Sequence, residues 1–240
     1  MDRFGVGQSV PRKEDDRFVV GKGRYLDDIC LPGQAYGWFL RSPHAHAAIK
    51  GLNISAAESA PGVVAVLTAE AYRADGLGAL ICQVPLKNKD GSDRANPQRW
   101  PLAADRVRHV GDTIALVVAD SLAQAKDAGE RIAVDYEALP AVSSMVSAIE
   151  PGAPQIWEDA PGNVCFDWEL GDRAAVEAAF ASAAHVTKLD IVNNRLIAST
   201  MEPRGAVAAV GEDGRYRLYL STQGAHGLRD DLCKSIFKIP

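Results

Sequence analysis

The stretch Asp105 to Val142, DRVRHVGDTIALVVADSLAQAKDAGERIAVDYEALPAV, constrains the fold more than any other part of the chain. Thr113 to Ala119 is an apolar run bounded by Gly111-Asp112 and Asp120-Ser121, the pattern of a strand covered on both faces. Ser121 can cap a helix by accepting a hydrogen bond from a first-turn amide. Leu122, Ala125, Ala128, Gly129 and Ile132 follow at steps of three or four and make one apolar face, with Lys126, Asp127, Glu130 and Arg131 on the other. Ile132, Val134 and Tyr136 then alternate with polar neighbours, and Leu139-Pro140 ends a second strand. Read locally, strand–helix–strand is the unit that joins two parallel strands through a right-handed crossover. Its first turn, Ala-Asp-Ser-Leu, lacks the glycines that bring backbone against a pyrophosphate, so the unit predicts packing and no nucleotide site.

At 240 residues the chain is long enough for one large domain or two ordinary ones. A formal net charge of −5, with no basic block to offset it, argues against nucleic acid as a partner. No apolar run approaches the ~20 residues of a transmembrane segment. The opening MDRFGVGQSVPRKEDD has no apolar core of the secretory kind, so a cytoplasmic location is expected. Cys30, Cys82, Cys165 and Cys233 lie far apart with no CxxC pair, which predicts buried apolar thiols rather than zinc or iron–sulfur ligands. His44 and His46 stand two apart with no third ligand near them, so no metal site is expected there.

Residues 1–17 mix charge and glycine and read as an extended arm. The segment 84–101 is a polar loop punctuated by Pro85, Pro97 and Pro101 that returns to the core at Trp100. Glu150-Pro151-Gly152-Ala153-Pro154 marks a linker, 150–160, between a first domain over 18–149 and a second region over 161–240. In that region Asn163 to Leu170 and His185 to Val192 read as strands, flanking a helix from Arg173 to Ala184 with Val176, Ala179, Phe180 and Ala183 as its apolar stripe. Gly205 to Val210 and Arg215 to Gln223 read as a hairpin around a Gly- and Asp-containing turn, and Ala225 to Phe237 as a helix. The fold class is mixed, α+β with α/β character.

Three segments are richer in polar residues than packing requires: Arg41 to His46, Met201-Glu202-Pro203-Arg204, and Ser221 to His226. Glu202 and Arg204 flank a proline, where an ion pair is the leading expectation and a tether to a neighbouring loop the alternative. Gln223, at a strand end just before a glycine and a helix start, can aim its amide into a crevice.

GKGRYLDDICLPGQ, RSPHAHAAI, PGVVAVLT, PLAADRVRHVGDTIALVVADSLAQAKDA, VDYEALPAV, GAPQIWEDAPGN, MEPRG and STQGAH occur in this order. From about Phe4 to the last residue they resemble the large, molybdenum-binding subunit of the xanthine dehydrogenase/aldehyde oxidase family, in the branch with carbon monoxide dehydrogenase and aldehyde dehydrogenases. The resemblance implies an α/β-hammerhead domain over 18–149, with Asp105 to Val142 at its core, followed after the linker by the first part of a molybdopterin-binding domain. It places Gln223 at the position of a glutamine that hydrogen-bonds the apical oxo group of the metal. A neutral amide suits that role, because it polarises an oxo group without adding a competing ligand.

The family oxidises aldehydes, N-heterocycles or carbon monoxide with water as the oxygen source. Its cofactor is molybdenum–molybdopterin, in the bacterial branch commonly the cytosine dinucleotide form, and electrons leave through an iron–sulfur small subunit and an FAD medium subunit. The family's GGGFG segment and catalytic glutamate have no counterpart in matching context among Glu130, Glu150, Glu158, Glu169, Glu177, Glu202 or Glu212, so no catalytic residue and no metal ligand is assigned in this chain. The resemblance therefore implies the N-terminal part of a large subunit, a split or truncated product or a remnant, inactive without the C-terminal part that would complete a small-molecule substrate site. A non-catalytic assembly or binding module derived from the same family is the alternative.

Overall fold

The computed structural model describes residues 7, 9–80, 82 and 84–239. In chain order the elements are α1 (Asp15–Phe18), a 3-10 turn (Leu26–Asp28), β1 (Tyr36–Arg41), β2 (Ala47–Asn53), α2 (Ser55–Glu58), β3 (Val63–Thr68), α3 (Ala69–Ala74), β4 (Arg106–Val107), β5 (Thr113–Ala119), α4 (Leu122–Gly129) and β6 (Ala133–Ala138). There follow α5 (Met145–Ala148), a 3-10 turn (Pro161–Asn163), α6 (Arg173–Ser182), β7 (Ala206–Val210), β8 (Tyr216–Leu220), α7 (Ala225–Asp231) and, continuing it, a π-helix (Leu232–Phe237). They fall into two units, one of Ala35–Ile191 with Gly224–Pro240 and one of Met1–Gln34 with Val192–Gln223.

In the larger unit β5 is the central strand. It lies between β1 and β3, antiparallel to both, with Trp38 opposite Val117 on one side and Val66 opposite Val117 on the other. Its side chains serve two cores. Ala115, Val117 and Ala119 face a cluster with Val66, Ala125, Ala128 and Ile132, while Ile114 faces a second with Ala47 and Val107. Ile114, Val107 and Val117 are the largest fully buried side chains. The first cluster is mostly alanine, which lets α4 lie close against the sheet and makes shape rather than bulk the source of fit. Ser121 caps α4 as expected, its Oγ accepting from the Gln124 amide at 3.3 Å. Leu122, predicted on the buried face, is 44% exposed at the first position of α4.

The strand–helix–strand forms, with α4 ending at Gly129 rather than running on to Ile132, but the parallel pairing does not. β6 leaves the sheet of β5 and joins a second one, ordered β4-β2-β6, where it runs antiparallel to β2. Both edges of β5 are already taken by antiparallel neighbours, so no position remains for a parallel partner. The link between sheets runs through Ser42 to His46, where the Ser42 amide donates to the Asp112 carbonyl at 2.8 Å and the Gly111 amide donates back to the Ser42 carbonyl at 2.8 Å.

The loop before β5 returns at Trp100, which is half-buried, with the Tyr72 ring edge-on at 6.4 Å between centroids. Residues 163–170, expected as a strand, form none; the Cys165 and Asp167 carbonyls accept from Ala95 and Lys89 in that loop without a regular ladder. Residues 185–192 likewise form no strand, and no backbone hydrogen bond engages them among the described residues. A strand exists only where a neighbour takes its amides and carbonyls, and alternation alone does not provide one. Helix α6 is as expected, capped by Asp172, but its stripe is bare: Val176 is 52% and Phe180 61% exposed. The thiols also depart from expectation. Cys30 and Cys165 are exposed and Cys82 and Cys233 only half-buried, because Cys30, Cys82 and Cys165 lie in irregular segments and Cys233 in the C-terminal π-helix, none of them in a core strand.

In the smaller unit β7 and β8 make the expected antiparallel hairpin, with Ala206 opposite Leu220 and Val210 opposite Tyr216. Of the arm expected over 1–17, residues 1–6 and 8 lie outside the described residues; Asp15–Phe18 forms the single turn α1.

Candidate functional site

The polar segments singled out in the sequence divide between the two units. MEPRG and the strand end Ser221 to Gln223 meet in the smaller one, together with the turn at Leu26. Glu202 joins them. Its Oε1 accepts the Leu26 amide at 2.7 Å, and its Oε2 accepts the Ser221 hydroxyl at 2.6 Å. One carboxylate thus ties the 3-10 turn to the exit of β8. Gly205 permits the approach, since a Cβ there would stand 2.5 Å from Leu26 Cδ2. The Leu26 turn is closed from its other side by Asp28, whose carboxylate accepts the Tyr25 amide at 2.8 Å.

The hydrogen bond from Ser221, and after it the one from the Leu26 amide, hold the Glu202 carboxyl below its ordinary range; desolvation and the nearby Asp28 charge oppose them and lose. The expected ion pair with Arg204 does not form. Arg204 is exposed and makes no ion pair among the described residues, and Glu202 serves instead as the tether that was the second reading. Sequence reasoning missed Ser221 and Leu26 as its partners. Leu26 lies 176 positions away, and nothing in composition or periodicity reports a contact of that range.

Gln223 is the last residue of this unit, in the bend after β8 and just before Gly224, the residue preceding α7. Its side chain is exposed and makes no hydrogen bond among the described residues. Both amide donors are therefore open to a group from outside, which is the condition for polarising a cofactor atom.

In the larger unit, Arg41 to His46 is structural. His44 stacks obliquely on Tyr136 with centroids 4.6 Å apart, and buried His46 engages the Pro140 carbonyl through Nδ1 at 2.7 Å. Burial pushes the Tyr136 phenol up, against a smaller opposing effect from Ser42. No group of three or more His, Cys, Asp or Glu side chains converges on a metal-sized site among the described residues.

Two family models cover most of the chain: "aldehyde oxidase and xanthine dehydrogenase, a/b hammerhead domain" over residues 20–140, and "molybdopterin cofactor-binding domain" over 156–240. The carbon monoxide dehydrogenase large chain of Afipia carboxidovorans is 37% identical over 94% of this chain and 28% of its own length. The nicotine 6-hydroxylase large subunit of Paenarthrobacter nicotinovorans is 36% identical over 99% of this chain and again 28% of its own. Among solved structures, reconstituted CO dehydrogenase from Oligotropha carboxidovorans superposes with a TM-score of 0.80 at 34% identity, over 95% of this chain and 29% of that one. Quinoline 2-oxidoreductase from Pseudomonas putida 86 gives 0.80 at 33% identity, over 95% and 28%. The chain spans little more than a quarter of the length of these relatives.

Proposed function

This chain belongs to the aldehyde oxidase and xanthine dehydrogenase family, with a hammerhead domain followed by the first part of a molybdopterin-binding domain, and we propose that it works as the N-terminal part of the large subunit of a molybdenum hydroxylase. The observation that carries this beyond family membership is the bare apolar surface of the second region. Leu189, Ile191, Val192, Leu196 and Ile197 are each between 77% and 85% exposed, along a stretch that forms no strand. Such a run is covered in a working protein, since a contiguous exposed apolar stretch marks an interaction surface. The C-terminal part of the large subunit is the cover, supplying the ladder partners for 185–192 and an opposing face for α6. The chain alone is inactive.

Bound molybdenum–molybdopterin, in this proposal the cytosine dinucleotide form, supplies two-electron redox chemistry for oxidising an aldehyde, an N-heterocycle or carbon monoxide. This chain's own contribution is positional. Gln223 donates an amide N–H to an acceptor atom of the cofactor, its unpartnered and exposed side chain fitting that task. Glu202 and Ser221 fix the strand exit from which Gln223 projects, so that the donor is aimed before the cofactor arrives. The domain division over 18–149 and 161–240, the iron–sulfur and FAD partner subunits and the cytoplasmic location complete the proposal; among the described residues no helix is long and apolar enough to cross a membrane.

Metal analysis after co-expression with the C-terminal part of a large subunit tests it. Molybdenum and hydroxylase activity should both appear in the co-purified complex and in neither part alone. Activity in this chain by itself would overturn the proposal, and a stable complex that takes up no molybdenum would favour a non-catalytic assembly module.

A further inference from the structure

The larger unit carries a cavity of about 330 Å³ whose lining includes Arg73, Arg99, Trp100, Asp105, Arg108 and Trp157. Two arginine–tryptophan stacks stand in its wall. The Arg73 guanidinium lies 4.6 Å from the centre of Trp100, and that of Arg108 lies 4.3 Å from the centre of Trp157. A guanidinium on an aromatic face is held in place by the ring while the N–H donors around its edge stay available.

The two stacks differ in what those donors do. Arg108 is closed: Nε donates to the Ile156 carbonyl at 3.1 Å and Nη2 to Glu158 at 3.2 Å, and Glu158 also takes Arg106 at 2.7 Å. That stack clasps the linker to the domain. Arg73 is open. Neither its side chain nor that of Arg99 makes a hydrogen bond or ion pair among the described residues, beyond the ring contact of Arg73 itself. Of the lining carboxylates, Asp112 is committed to the Arg108 amide at 3.0 Å and to His109 at 3.7 Å, which leaves Asp105 alone against two free guanidiniums.

We infer that this cavity binds a phosphate monoester, with the dianion on Arg73 and Arg99 and the ester group toward Trp100 and the buried Leu102. Two forked donors match a dianion better than a single carboxylate, and the volume lies in the range of small-molecule sites. Asp105 opposes the anion, so neutralising it strengthens binding. This site is independent of Gln223 and of the molybdenum reading.

Calorimetric titration of the 240-residue chain with phenyl phosphate and with inorganic phosphate, at low salt and above the second phosphate ionisation, is the test. Phenyl phosphate should saturate at about millimolar or tighter and outbind inorganic phosphate. Arg99→Gln, whose backbone bonds with Leu80 do not use the side chain, should weaken it about tenfold or more. Arg73→Gln should act alike, and if it lowers the melting temperature, Arg99→Gln decides alone. Asp105→Asn should tighten binding. Absence of saturable binding, or equal binding by the wild type and Arg99→Gln, would overturn the site; inorganic phosphate bound as tightly as phenyl phosphate would overturn the ester assignment.

Discussion

At the scale of single residues the site rests on Glu202, because one carboxylate there satisfies both a main-chain amide and a hydroxyl from segments distant in sequence. Its pH dependence follows from the direction of its shift. A carboxyl held below its usual value near 4.5 contributes stability that is full above that value and is lost as pH falls through the lower, folded-state one. Glu202→Gln should therefore melt below the wild type at neutral pH, with the gap closing under acid conditions; a gap that stays constant across that range would show that the charge is not what matters. Gln223 makes the sharper functional prediction. In the assembled enzyme Gln223→Ala should keep its molybdenum and lose about a hundredfold in turnover, the usual effect of removing one aimed donor. Part of this was legible in sequence. The place of Gln223 between a strand end and a helix start was legible, its role being implied only by the resemblance, whereas the pairing of Glu202 with Leu26 and Ser221 was hidden, since charge patterns favour the neighbour two residues on, Arg204.

Elements repeat the lesson on a larger span. Periodicity reports which faces of β5, α4 and β6 are covered, and the bounds of β5 and β6 were legible to within a residue or so, whereas α4 stops three residues before Ile132, the last residue of its expected face. It does not report the partner, so β5 and β6 looked like a parallel pair although each is antiparallel to its neighbours in a different sheet. For the same reason 185–192 alternates as a strand does and yet forms none. Core substitutions should rank by what they face. Ile114→Ala, at a fully buried position of the second cluster, should cost about 2–5 kcal/mol in denaturant unfolding. Leu122→Ala, at a half-exposed helix start, should cost much less. Gly78 sets a different constraint. Its amide donates to the Ile236 carbonyl at 2.9 Å, and a Cβ would land inside the contact distance of the Ser235 carbonyl oxygen. Gly78→Ala should release the segment 225–239, seen as faster amide exchange there, while β5 stays protected.

Over the whole molecule the buried apolar residues concentrate in the hammerhead strands and α4, while the second region leaves Val164, Phe166, Trp168, Leu170, Val176 and Phe180 exposed along with the run from Leu189 to Ile197. The chain spans 28% of the length of both the carbon monoxide dehydrogenase large chain and the nicotine 6-hydroxylase large subunit, and the exposed region coincides with the molybdopterin-binding match over 156–240. Both facts support the proposal that this surface is covered by the C-terminal part of a large subunit. Hydrogen exchange across residues 185–201 tests it most directly, measured on the chain alone and after assembly with the C-terminal part of a large subunit. Exchange should be rapid in the isolated chain and strongly slowed in the complex, with β5 protected in both. Protection of 185–201 in the isolated chain, or none on assembly, would contradict it.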